Sequence, residues 1–153
     1  MLTITVKNDK IILEGLRQAA EDMPGAVKKG LSNVAIGVNN VAFDWLSGAG
    51  KGDVAAGGYP VPVRTGHLRR LQNWLKPGQS KSGEAGTFRA GAMEVLVYNS
   101  ASYARSIHDG LGSSGKFGRR PFLEDGFKQF NEGDQVVKTI QTEIDAVLAG
   151  VKG

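Results

Sequence analysis

The sequence contains no cysteine. Disulfide bonds, thiolate zinc sites, iron–sulfur clusters and cysteine nucleophiles are therefore excluded together, and the composition suits a reducing compartment. No apolar run approaches the roughly 20 residues that cross a bilayer, so we expect no membrane protein. The first residues hold one short apolar patch and no small-residue cleavage site, which predicts that they are not a secretory signal.

Residue patterns for catalysis are also scarce. Histidine occurs only at His67 and His108, and a metal needs three or four converging ligands. Because neighbouring side chains diverge on a helix, we expect His108 and Asp109 not to form a catalytic pair. The glycine-rich run at 48–53 lacks the spacing and the Ser/Thr of a phosphate-binding loop. The sequence therefore predicts no enzyme, no metal site and no cofactor.

Glycine is abundant instead, with 22 residues in 153, about twice the usual share. Fourteen of them lie between Ser47 and Gly118. We interpret three glycine-rich stretches, at about 47–58, 77–86 and 110–118, as flexible loops.

Positive charge is concentrated in the same region. Residues 60–120 carry ten Lys/Arg and three Asp/Glu, whereas residues 121–153 carry three and six. Such a basic surface suits nucleic acid phosphates, an acidic protein, or a pore that DNA crosses without being read. The few aromatic residues and the absence of a recognition motif argue against sequence-specific DNA binding.

The spacing of apolar residues predicts the secondary structure of the first third of the chain. Leu2–Val6 alternates as a short strand, and helices are predicted over Ile11–Ala20 and, starting at Pro24, over Pro24–Leu46. The second helix carries a heptad-like seam, which either packs in the core or contacts another subunit; its residues are Val27, Leu31, Val34, Val38, Val41 and Trp45. Gly30 and Gly37 lie off the seam and would let another element pack closely.

The second half alternates short elements. A helix is predicted over Gly66–Leu71, strands over Gly86–Ala90 and Met93–Asn99 joined near Gly91, and a helix over Ser102–His108. A final helical region runs from Pro121 to Leu148 with a break at Asn131–Gly133. The whole chain, residues 1–153, is thus predicted to be one small α+β domain, with long helices packed on an antiparallel sheet.

Three segments, in this order, carry a resemblance. They are VRTGHLRR from Val63, YARSIHDG from Tyr103 and GRRPFL from Gly118. Together they resemble the tail-completion, or head–tail joining (neck), proteins of long-tailed bacteriophages and prophages, including the minor tail protein Z type. The matching region spans Val63–Leu123.

The resemblance implies a structural protein of the virion, made in the bacterial host cytoplasm. It implies a homo-oligomeric ring, of six copies in the particle, at the head-proximal end of a tail. One side would contact the tail terminator or tail tube and the other the head–tail connector or adaptor, with DNA in the channel as a further non-specific contact. The alternative from a different class is a basic DNA-binding accessory protein.

Two groups of residues follow from these segments. One group specifies the fold through caps, turns and core anchors: Thr65, Gly66, Leu68, Tyr103, Ala104, Gly110, Pro121 and Phe122. The other is basic and is predicted to contact neighbouring subunits or partners: Arg64, Arg69, Arg70, Arg105, Lys116, Arg119 and Arg120.

Overall fold

A computed structural model describes residues 9–47, 66–110 and 119–151. Its elements in chain order are α1 (Asp9–Leu46), α2 (His67–Arg70), β1 (Gln72–Leu75), β2 (Ser80–Gly83), β3 (Gly86–Arg89), β4 (Leu96–Asn99), α3 (Ala104–Asp109), α4 (Phe122–Phe130) and α5 (Gln135–Leu148). The described part is a single small α+β unit in which one long helix packs on an antiparallel β arrangement, as the sequence predicts.

Helix α1 is continuous for 38 residues with Pro24 inside it. The prediction of two helices, with Pro24 at the first position of the second, is therefore wrong. An internal proline removes one backbone hydrogen bond and costs about 3 kcal/mol. Packing outweighs this cost, because the C-terminal segment lies along α1 on both sides of Pro24. Gly15 lies against Val151, and Gly30 against Ile140.

Close packing at glycine joins α1 to the C-terminal helices. A Cβ atom at Gly30 would lie 2.9 Å from the Cα atom of Ile140, and one at Gly37 would overlap the Phe130 ring. The predicted use of Gly30 and Gly37 as close-approach positions is confirmed. Gly126 of α4 fits Ala42 of α1 in the same way, with a Cβ contact of 3.1 Å. Helices α4 and α5 thus follow α1 in the antiparallel direction.

The strands form two antiparallel pairs. β1 pairs with β4, Gln72 opposite Asn99, and β2 pairs with β3 through a two-residue loop at Glu84 and Ala85. The predicted hairpin of Gly86–Ala90 with Met93–Asn99 is therefore wrong, although both strands exist. The predicted flexible loop at 77–86 is also wrong, because it contains β2. Neither β1 nor β2 shows the alternating apolar pattern that identifies a half-buried strand.

The heptad seam of α1 packs inside the chain. Val34, Val38 and Trp45 are buried, whereas Val27 and Leu31 are half-buried. This favours core packing over subunit contact for the C-terminal half of the seam. The Trp45 indole also donates a hydrogen bond of 3.0 Å to the side-chain oxygen of Gln129.

The bounds of the shorter helices lie close to those predicted from the sequence. α2 lies within the predicted Gly66–Leu71, and α3 begins two residues later and ends one residue later than the predicted Ser102–His108. The C-terminal region breaks where expected, since Gly133 and Asp134 have φ values of 67° and 60° and separate α4 from α5. The side chain of Asn131 accepts a hydrogen bond from the backbone of Val136 and so caps the start of α5.

Several predictions fall outside the described residues. They concern the strand Leu2–Val6, nearly all of the loops at 47–58 and 110–118, the cap at Thr65, and the basic residues Arg64 and Lys116.

Candidate subunit interface

The three segments that carry the resemblance meet around the C-terminal end of α1. Leu68 of α2, Ala104 of α3 and Phe122 of α4 form one buried cluster with Trp45 and Leu46. Phe122 has no exposed surface. Ile107 and Leu123 of the second and third segments pack against the cluster, as does Leu71, which directly follows the first segment. Stretches far apart in sequence therefore share one core, which is the arrangement expected of motifs that specify a fold.

Backbone conformation explains why glycine or proline stands at three of the predicted fold-specifying positions. Gly66 precedes α2 with φ 66°, and Gly110 ends α3 with φ 73°; this left-handed conformation favours glycine. Pro121 is predicted to be the first helical residue, but it occupies the N-cap of α4, one residue before the helix begins. Tyr103 departs from its predicted packed position, because 40% of it is exposed and its ring stacks on His67 with centroids 6.0 Å apart.

A buried amide network, which no sequence pattern indicated, connects these elements. The Asn99 amide donates to the Leu68 carbonyl (2.6 Å) and to Oε1 of Gln72 (3.2 Å), and its oxygen accepts from the Ala101 N–H (3.1 Å). Gln72 in turn donates to Asn39 of α1 (3.2 Å). Both Gln72 and Asn99 are 7% exposed. The hydrogen bonds of the network link β1, β4, α2 and α1 and satisfy the buried amide of Asn99.

Glu84 at the tip of the β2–β3 hairpin joins the hairpin by hydrogen bonds to α2 and to the segment before α3. Its carboxylate accepts a hydrogen bond from Nε2 of His67 at 2.8 Å and one from the Ser102 N–H at 3.3 Å. The hydrogen bond from His67 is the main cause that lowers the pKa of Glu84 below its usual value of 4.5. The Ala85 N–H also bonds the Ser100 carbonyl at 3.0 Å. The hairpin tip is thus held by polar contacts.

His108 and Asp109 form a hydrogen-bonded pair, so the prediction that they diverge is wrong. Nδ1 of His108 lies 2.8 Å from the Asp109 carboxylate, because this ring nitrogen is the one nearer the backbone and reaches the adjacent side chain. This bond is the main cause that lowers the pKa of Asp109, and Arg105 adds a second bond at 3.4 Å. Nε2 of His108 is buried and has no hydrogen-bond partner within the described part of the chain.

An apolar cavity of about 250 Å³ lies between β4, α3 and α4 beside this pair. Phe88, Leu96, Tyr98 and Leu123 contribute to its lining, with His108 at one side. Nε2 of His108 is buried, and the bond between Nδ1 and Asp109 joins the last two residues of α3.

The predicted basic residues do not form one uniform surface. Arg69 is exposed, with its guanidinium 5.4 Å from the centre of the Phe43 ring, and Arg70 is exposed beside it. Arg105 is bound by Asp109, and Arg119 is bound by Glu124 at 2.7 Å.

Arg120 is only 7% exposed, which contradicts its predicted place on a contact surface. Its backbone N–H bonds the Ile107 carbonyl at 3.3 Å, so the chain holds this residue against α3. The basic side chains are therefore partly committed within the subunit, and fewer of them face outward than the composition suggests.

Within residues 9–47, 66–110 and 119–151, no cluster of three or more His, Cys, Asp or Glu side chains is arranged to bind a metal. Over the same residues, no helix has the length and apolarity to span a bilayer. In comparisons with known proteins, no family profile, no curated protein and no solved structure matches this chain.

Proposed function

We propose that this chain is a structural virion protein of a long-tailed bacteriophage or prophage, which forms a tail-completion ring where head and tail join. In this role one face of the ring contacts the tail terminator or tail tube, and the other contacts the head–tail connector. The subunit is made in the bacterial cytoplasm and functions in the particle.

The observation that carries the proposal is the meeting of the three motif segments in one core. Leu68, Ala104 and Phe122 come from the three segments and pack together, with Gly110 terminating α3 between them. Motifs that recur by accident have no reason to converge, whereas motifs that define one fold must do so. Convergence therefore supports the resemblance as a likeness of fold, from which the role in the particle is inferred.

The surface next to this core suits docking between proteins. Arg105 and Arg119 are largely exposed and are oriented by ion pairs with Asp109 and Glu124. Oriented charges lose little freedom on binding and give specificity to a protein contact. The same ion pairs reduce the positive charge that is available to DNA phosphates, which favours a protein partner over the DNA-binding alternative.

Deletion of the gene from the phage or prophage that carries it tests the proposal. We expect electron micrographs of the lysate to show filled heads separate from tails, or tails of aberrant form, and infectivity to be restored by the gene in trans. Normal joined particles with unchanged infectivity would contradict the proposal.

DNA binding is tested on the purified chain by gel shift. Phosphate contacts by Arg69, Arg70, Arg105 and Arg119, the residues of the predicted set that are exposed in the described part of the chain, would give a slope of about −3.6 for log binding constant against log salt. We expect no sub-micromolar binding at about 0.15 M salt, where a dedicated DNA-binding protein retains function. Tight, steeply salt-dependent binding under these conditions would favour the accessory-protein alternative.

A further inference from the structure

The apolar seam of α1 continues toward the N-terminus beyond the part that is buried. Leu16 and Leu13 stand eleven and fourteen residues before Val27, which is about three and four helical turns, so they lie on the same side of the helix. Exposure rises along this side: Val34 is 6% exposed, whereas Leu16 is 51% and Leu13 is 63% exposed. The described helices and strands therefore leave the N-terminal part of the seam open to solvent.

Helix α5 has an uncovered apolar side as well. None of its 14 residues is buried, and Val137 and Leu148 are 64% and 45% exposed. These two residues are eleven positions apart, about three turns, and so share one side of α5. Among the described helices and strands, only α1 packs extensively on α5. An amphipathic helix in a folded domain normally buries its apolar side.

The two apolar sides open in the same direction. Gly30 of α1 and Ile140 of α5 mark the line along which the helices touch. On one side of this line Lys29 bonds Glu143 at 2.8 Å. On each helix the apolar residues lie round the opposite side of the line, so they form one surface across the helix pair. We call this surface the α1–α5 face; it comprises Leu13, Leu16, Met23, Val27, Val137 and Leu148.

Charged residues border the α1–α5 face on both helices. On α1 the nearest charged positions are cations, and two carboxylates lie further round the helix: Lys10, Arg17 and Lys28, then Glu14 and Glu21. Arg17 is bound to Glu21 at 3.4 Å. The border on α5 has one charge of each sign, Lys138 and Asp145. Two α1 borders placed together would bring cations together, whereas α1 placed on α5 offers them Asp145.

From these observations we infer that two copies of this chain dimerise through the α1–α5 face, with α1 of each copy packing on α5 of the other. A face that is apolar throughout is complementary to itself, as a half-turn between two copies requires. Two antiparallel helix pairs stacked in this way form a four-helix bundle. The bundle buries the apolar sides that a single pair leaves exposed.

The size of the α1–α5 face suits a reversible dimer. The face extends about 27 Å from Leu13 to Leu31 at 1.5 Å per residue, and about 20 Å across two helices of about 10 Å diameter. Two such faces bury about 1,000 Å² together, which is the lower limit for a specific interface. We therefore expect monomer and dimer to be in equilibrium at micromolar concentrations.

The inference goes beyond the proposed function and does not depend on it. Neighbouring copies in a closed ring of six are related by a sixth of a turn, whereas the two copies of this dimer are related by half a turn. The dimer is therefore a form of the free chain, and its copies separate before they enter the ring.

Sedimentation velocity of the purified chain at about 1 µM and about 100 µM tests for the dimer, which should predominate only at the higher concentration. Leu16→Glu and Val137→Glu place a charge in the face and should stay monomeric at both concentrations. Their circular dichroism should be unchanged, because both positions are largely exposed. Ile11→Glu is the matched control and should still dimerise, since Ile11 is 57% exposed and lies on the side of α1 away from the face.

Cysteine cross-linking tests the arrangement of the helices, because the natural chain has no cysteine to interfere. Leu16→Cys and Leu148→Cys proteins are mixed and treated with a short bismaleimide. We expect the mixed link to form at least about fivefold faster than the link between Ile11→Cys and Leu148→Cys, since association raises the local thiol concentration. Two Leu16→Cys chains should link more slowly than the mixed pair, because α1 meets α5 of the other copy.

Several results would overturn the inference. They are a natural chain that stays monomeric at about 100 µM or forms an assembly larger than two, a Leu16→Glu variant that dimerises as well as Ile11→Glu, and faster linkage between two Leu16→Cys chains than in the mixed pair. Loss of helicity in Leu16→Glu but not in Ile11→Glu would overturn it too, because the face would then be covered by a segment of the same chain, such as residues 1–8.

Discussion

Replacing Asn99 by aspartate exchanges the side-chain NH₂ group at the centre of the buried amide network for an oxygen. The Asn99 amide donates two hydrogen bonds, to the Leu68 carbonyl and to Oε1 of Gln72. A carboxylate has the same shape but donates none, so both acceptors lose their partner. The bond that the Ala101 N–H gives to the side-chain oxygen is retained. Asn99→Asp therefore removes the two donated bonds and, while the carboxyl group is ionised, also places a charge in a buried position.

The expected destabilisation follows from burial. Leaving a buried polar group unsatisfied costs about 1–3 kcal/mol, so two acceptors give about 2–6 kcal/mol of lost unfolding free energy. This is a large share of the roughly 5–15 kcal/mol that stabilises an ordinary domain. Burial also raises the pKa of the introduced carboxyl group, because it disfavours the charged form. The destabilisation should therefore shrink as pH falls through that raised pKa, since a protonated carboxyl group can donate one bond.

Urea unfolding followed by circular dichroism measures the effect between pH 4 and pH 7. The matched control is Asn40→Asp, the same chemical change at an exposed position of α1, which should alter stability by no more than about 0.5 kcal/mol. If Asn99→Asp were as stable as the control at pH 7, the amide network would not hold β1, β4 and α2 together.

Two further predictions concern helix packing and pH. Gly30→Ala should destabilise the fold, because its Cβ atom would press on the Ile140 backbone at 2.9 Å. Gly25→Ala, with open space around it, should stabilise α1 by about 0.5–1 kcal/mol; thermal unfolding of both variants compares the two sites, and equal effects would contradict the packing. Glu84→Gln should destabilise the contact between the hairpin tip and His67 above pH 4.5. The hydrogen bond from His67 lowers the pKa of Glu84. The stabilisation by the Glu84 carboxylate is therefore present above pH 4.5 and is lost as pH falls through the lowered pKa. Hydrogen exchange of the hairpin amides at pH 6 and pH 3.5 measures this, and a difference between the two proteins that grows toward low pH would contradict it.

The elements predicted correctly are those with strong local signals. The seam of α1 has a clear helical period, and the break after α4 follows from Asn131–Gly133. Gly110 has the left-handed conformation that its place after α3 predicts. In each case the decisive interaction lies within a few residues along the chain, so that the sequence alone contains it.

The errors arise where distant contacts decide the outcome. Pro24 predicts a helix start, but packing of the C-terminal segment on both sides keeps α1 continuous. The pairing of β1 with β4 depends on the Gln72 and Asn99 amides meeting across 27 positions. Similarly, Arg120 counts as one more positive charge in the sequence, but the fold buries it. The basic surface predicted from composition is consequently smaller in the folded chain.

We propose that this chain builds the ring at the junction of head and tail. Cryo-electron microscopy of purified particles, produced with a small protein tag fused to the C-terminus of this chain, tests that placement. We predict extra density repeated around the head-proximal end of the tail, in a ring into which the α1–α4–α5 unit fits. Particles in which the tagged chain is absent, or is located anywhere other than this junction, would contradict the claim.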